Sequence, residues 1–139
     1  MRRLTMACMS LLPLLAASCG KDPLAALVAP TVSVTVTDTF SGTVTRNGAT
    51  SHPFPISSTA GGQVIATLKT VSPDSSAVVG MSLGTWNGSS CQAVISNDRA
   101  IVSASILGQA TSTGTLCVRI FDVGSLNESQ NYEIEVVHP

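Results

Sequence analysis

Two histidines, His52 and His138, and a scatter of serines and aspartates are the residues of this 139-residue chain whose types could move protons. Nucleophilic catalysis needs a hydroxyl or thiol beside an oriented base. The chain has no Gly-x-Ser-x-Gly elbow, no His-Glu-x-x-His pair, no phosphate-cradling loop and no dinucleotide fingerprint. His52 stands beside Pro53 in a turn-like stretch, and His138 is one residue from the end. No catalytic residue is assigned, and the reading is against an enzyme. A secreted hydrolase using His52 or His138 is the remote alternative.

Asp38, Asp74, Asp98 and Asp122 fall at expected strand ends or turns. A calcium ion would want several such oxygens converging. Their separations match no calcium-loop pattern, and capping of turns by Asp is the simpler reading. No metal site and no cofactor are expected. Trp86, the single tryptophan, sits in the turn-like run Gly84-Thr85-Trp86-Asn87-Gly88. A loop-borne aromatic can stack on a sugar ring or anchor a protein contact, which makes Trp86 the candidate ligand contact. The competing reading packs it over the end of a β-sandwich.

The N-terminus carries a different kind of chemistry. Met1-Arg2-Arg3 is cationic, Leu4 to Ala17 is mostly apolar, and Ala16-Ala17-Ser18 supplies small residues before Cys19. Residues 1–18 therefore read as a secretory signal peptide. The apolar run is short of the roughly 20 residues that span a bilayer. Leu15-Ala16-Ala17-Ser18-Cys19 resembles the bacterial lipobox, with Ala16 where Leu is commonest. The resemblance implies cleavage before Cys19, a diacylglyceryl group on its thiol and acylation of the new amine. Each buried methylene adds about 0.8 kcal/mol, so two or three chains anchor firmly where one would not. Gly20, in place of Asp, implies an outer-membrane destination. The alternative is ordinary cleavage and a soluble secreted protein.

Cysteine usage is read on the same basis. The chain has four cysteines; Cys8 leaves with the signal peptide and Cys19 is taken by lipid. Cys91 and Cys117 remain, in an oxidising compartment and in strand-like runs, and a disulfide between them is expected. Two buried free thiols are the alternative.

After residue 18 about 120 residues remain, enough for one domain. Charged residues are only 11% and aromatics 4%, with Val, Ser, Thr, Ala and Gly dominant. That composition suits strands and turns. Without Arg2 and Arg3, five basic residues face eight acidic ones. There is no basic stripe, so nucleic-acid binding has no electrostatic source.

Residues 19–30 read as lipidated cysteine and tether, broken by Pro23 and Pro30, and 31–139 as the domain. Val32, Val34 and Val36 alternate with Ser33, Thr35 and Thr37, which predicts a strand with its valines buried. Further strands are predicted over Phe40 to Thr45, around Phe54, and over Gln63 to Thr70 and Ala77 to Leu83. Others follow over Cys91 to Ile95, Ile101 to Leu107, Thr115 to Asp122 and Asn131 to Val137. Pro53 and Pro55 remove two ladder donors and assign their segment to an edge. Gly80 suggests a bulge. Asn47-Gly48 and Asn87-Gly88 read as hairpin-type turns, and Asn97-Asp98 as another turn. The fold class is all-β: an antiparallel β-sandwich or jelly roll of about eight strands.

Three stretches sharpen this: Phe40-Ser41-Gly42, Gly61-Gly62 leading into Val64-Ile65-Ala66-Thr67-Leu68, and Tyr132-Glu133-Ile134-Glu135-Val136. Over roughly 32–137 the chain resembles the bacterial pre-peptidase C-terminal domain, a jelly-roll-like sandwich found beside secreted peptidases. Ser51-His52-Pro53-Phe54 departs from that family's acidic and aromatic residues before the third strand. The expectation is a non-catalytic, lipid-anchored envelope module that binds a polysaccharide or an envelope protein. The alternative is a passive structural subunit of a surface assembly, recognised through a strand edge.

Overall fold

The computed structural model describes residues 34–139. The predicted signal peptide 1–18, Cys19 and the tether to Pro30 lie outside the described residues. Eight strands follow: β1 Val36–Val44, β2 Ala49–Ile56, β3 Gly62–Ser72, β4 Val79–Trp86, β5 Cys91–Ala100, β6 Ser105–Ala110, β7 Gly114–Phe121 and β8 Gln130–His138. They form two antiparallel sheets of four, ordered β1-β8-β3-β6 (sheet A) and β2-β7-β4-β5 (sheet B).

The pairings nest. β4 pairs with β5, β3 with β6, β2 with β7 and β1 with β8. A chain folded as one long hairpin and rolled so that successive strand pairs alternate between two sheets gives this order. It is the jelly roll of the β-sandwich architectures. Between the sheets lie side chains from alternate positions of each strand. Sheet A contributes Val64, Ala66, Leu68, Ile106, Tyr132, Ile134 and Val136, and sheet B Phe54, Val79, Met81, Leu83, Val118 and Ile120.

β2 lies at an edge of sheet B, as Pro53 and Pro55 require. The ladder of β4 shifts register between Val79 and Met81, around Gly80 as predicted, and again between Leu83 and Gly84. Several expectations need correction. The Phe40–Thr45 run is the second half of β1, because its inward positions continue those of Asp38. Asn47-Gly48 turns the chain between sheets instead of closing a hairpin, since β1 and β2 pair with different strands. Asn97-Asp98 is inside β5; Asn97 Oδ1 accepts the Arg99 N–H, so local bonding makes a bulge where a turn was expected. The turn falls at 101–104, and β6 starts only at Ser105.

The first valines are the clearest departure. Val34 is 75% exposed and Val36 is 44% exposed, although the alternation predicted a buried face. Period-2 patterning reports a strand, but burial also needs an opposing layer. Val34 precedes β1, and Val36 starts an edge strand.

Candidate functional site

Three places in the described residues bring chemically capable side chains together. The first is the seam between edge strands β1 and β2. Their inward positions carry Asp38 and Phe40 on β1 and His52 and Phe54 on β2, facing Tyr132 and His138 on β8. Phe40 stacks on His52 with ring centroids 5.0 Å apart, and Phe54 lies 5.0 Å from His138. His52 Nε2 and Tyr132 Oη are hydrogen-bonded at 2.7 Å. His138 Nε2 is 3.1 Å from Asp38 Oδ2. Burial lowers the His52 pKa from its ordinary value, because desolvation disfavours the imidazolium. Burial likewise raises that of Tyr132, a hydrogen bond from Thr50 opposing it. Burial thus favours the neutral imidazole at His52.

Each histidine is held by ring contacts and one side-chain partner. Among the described residues, no serine, threonine or cysteine side chain hydrogen-bonds either ring. The seam closes the open side of the sandwich, with its histidines bonded to Tyr132 and Asp38.

The second place is the outer face of sheet B. Val118 and Ile120 point into the core, so Cys117, Arg119 and Phe121 point out. Cys91 and Cys117 form a disulfide, with Cα atoms 5.7 Å apart. It joins β5 to β7 across β4, the strand that lies between them. Gly84 is opposite Cys117 and makes the crossing possible: a Cβ there would stand 1.9 Å from the Gln92 carbonyl oxygen. Without a side chain at 84, β5 curls over β4 and carries Cys91 to its partner. Trp86, last residue of β4, pairs with Cys91 and is half-buried beside the bridge. It belongs neither to the core nor to either cleft described below.

The third place holds two clefts. At the turn end of β7 an open cleft of about 590 Å³ is lined by Val78, Asp98, Arg99, Phe121, Val123 and Ser125. The Arg119 guanidinium covers Phe121 at 4.9 Å from the ring centroid. Apolar surface and both signs of charge therefore meet in one concavity. Its floor is stiffened by Asp122, whose Oδ1 accepts the N–H groups of Gly124, Ser125 and Leu126 and whose Oδ2 accepts that of Asn47. These bonds, that from Asn47 foremost, hold the Asp122 carboxyl below its ordinary range. The other cleft is an apolar slot of about 100 Å³ between edge strands β5 and β6, lined by Val64, Leu83, Val94, Ile95, Gly108 and Leu116 among others.

The sequence reading missed the Phe121 cleft. Asp98 and Arg99 stand on β5 and Phe121 on β7, and only the β4–β7 and β4–β5 registers bring them together. The four aspartates do not converge. Asp74 accepts from Ser76 and Asp122 caps its loop, while Asp38 and Asp98 lie within strands. Among the described residues no three His, Cys, Asp or Glu side chains group as metal ligands. No family model matches the chain, and no curated protein matches it.

Proposed function

We propose that this protein is a lipid-anchored module of the bacterial cell envelope that binds without catalysis, its ligand a neutral or weakly charged polysaccharide. The observation that carries the reading is the cleft at Phe121. Sugars offer apolar C–H faces and hydroxyls that both donate and accept. The cleft matches them with Val78, Val123 and the edge of the Phe121 ring for the faces, Asp98 as acceptor and Arg99 as donor. Its openness to solvent suits a chain that passes through over a ligand that is enclosed.

Three further points support the setting. A disulfide fits a secreted compartment. The signal peptide and lipobox-like Cys19 supply the route and the anchor, to the outer membrane by the Gly20 rule. The jelly roll agrees with the architecture of the pre-peptidase C-terminal domains that the chain resembles.

The test is calorimetric titration of the mature chain with envelope polysaccharides and peptidoglycan fragments, beside Arg99→Ala and Asp98→Ala variants. Binding that weakens about tenfold or more in both variants, with thermal stability unchanged, is the expected result; a lost charged hydrogen bond is worth about 1.5–3 kcal/mol. Binding untouched by either change removes the cleft from the proposal. No binding to any glycan, with a stable protein partner co-purifying instead, replaces it with the structural-subunit reading.

A further inference from the structure

The two ends of the sandwich differ in chemistry. Strand direction places the start of β1, the ends of β2, β4, β6 and β8, and the 57–61, 87–90 and 111–113 loops at one end. Segments 34–37, 57–68, 79–97, 105–118 and 136–139 carry no Asp, Glu, Lys or Arg. The loops at this entry end are built only of Ser, Thr, Asn, Ala and Gly. Arg46, Asp74, Asp122 and Glu128 all lie in the loops of the opposite end, where Asp98 and Arg99 adjoin them. Asp38, the acidic side chain closest to the entry end, is turned onto His138.

Exposed aliphatic side chains gather where charge is missing. Val34 is 75% exposed, Val94 73% and Leu107 55%. Ile95 and Gly108 open into the apolar slot beside them. Leu107, Ile65 and Val137 stand in one row of the outer face of sheet A, with roughly 10 Å between the outer two of their three strands. Half-buried Trp86 borders the same end. Ile101 and Val123 are exposed at the opposite end, but among its charges.

We infer that the entry end is a membrane-contact surface, seating the domain on the lipid headgroup region. The inference rests on the lipid anchor at Cys19. Fourteen residues separate Cys19 from Val34, and the chain enters the fold at this end. A rim of hydroxyls and amides without charged side chains, with aliphatic tips and a tryptophan, is the side-chain chemistry of the bilayer interface. No basic residue is there to attract anionic lipid, so contact is apolar and independent of salt. Tethering raises the effective concentration of the surface to the order of millimolar, so a weak contact is populated. The opposite end, with the Phe121 cleft, is then turned away from the bilayer toward its ligand.

The experiment decouples contact from lipidation. Residues 20–139 carrying an N-terminal hexahistidine are held on phosphatidylethanolamine–phosphatidylglycerol vesicles through a nickel-chelating lipid, with part of the acyl chains brominated. Trp86 emission is then read against the same protein on unbrominated vesicles. Quenching by about half or more, unchanged by 0.5 M salt and abolished in Val94→Asp/Leu107→Glu, is the expected result. Both substituted side chains are exposed, and their thermal transitions check that the fold is intact. Tethered protein without quenching overturns the inference. Quenching that survives the double variant overturns the surface assigned here. A dimer in sedimentation that shields Trp86 from brominated lipid gives the surface to a second copy instead. Failure of the wild-type chain to incorporate labelled fatty acid in cells removes the Cys19 anchor, an outcome distinct from all of these.

Discussion

Tyr132 reaches His52 because nothing stands on Gly42. The two residues pair directly across β1 and β8, and a Cβ at 42 would lie 2.7 Å from the Tyr132 hydroxyl. Gly42→Ala therefore pushes the ring away and breaks the bond to His52. Overpacking of this kind costs about 1–3 kcal/mol, to be read as a lowered midpoint in urea. Tyr132→Phe keeps the packing and loses only the hydrogen bond, about 1 kcal/mol. The neutral state of His52 has its own consequence. Its pKa is lowered in the fold, so between that value and 6.5 the unfolded chain binds more protons. Stability is fully present above pH 6.5 and falls as pH drops below it. Asp74 and Asp122, also lowered, add a second decline below about 3.8. Thermal midpoints measured from pH 8 to pH 3 should fall in two stages, and His52→Gln should flatten the first alone.

Among the elements, β5 depends most on something outside its own ladder. It is an edge strand with two register shifts and mostly exposed side chains, tied to β7 by the disulfide. Closing a loop of 26 residues restricts the unfolded chain by about 3.5 kcal/mol in the entropy model. Cys91→Ala/Cys117→Ala should lower stability by about that much, with faster hydrogen exchange along β5 before β7. Gly84→Ala should hinder the bridge itself, scored as free thiol in the purified protein, because its Cβ meets the Gln92 backbone. Much of this was legible in the sequence: the alternation in 63–70 and 131–137 marked strands, the prolines marked an edge and the two cysteines marked a bridge. The missed boundaries lie where side chains rewired the backbone, as Asn97 does, or where a pattern of valines had no layer to cover it, as at Val34 and Val36. The Phe121 cleft left no trace in sequence, since its lining comes from three separated stretches of chain.

At the scale of the molecule, the asymmetry of the two ends is the property a single-residue reading cannot find. It was present in the sequence as long uncharged segments, but only strand direction shows that they converge. The polar end predicts behaviour that the whole domain shares. Asp98→Lys or Arg99→Glu should alter glycan affinity while leaving vesicle contact as it was. Val94→Asp/Leu107→Glu should do the reverse, and titration of both variants on both surfaces checks the separation.

The nested pairing of strands also governs the order in which the chain can become a protein. β1 has a partner only in β8, and Asp38 meets His138 across 100 residues of sequence. A chain emerging N-terminus first carries an unmatched β1 until its last nine-residue strand is available. Sheet A cannot close before then. The innermost hairpin, β4–β5, is the local start from which pairing can spread outward. Contacts this distant make folding slow, on the order of milliseconds to seconds. Delay of that kind would suit the export in an unfolded state that the proposed envelope location requires. The architecture thus postpones its own completion until β8 is available.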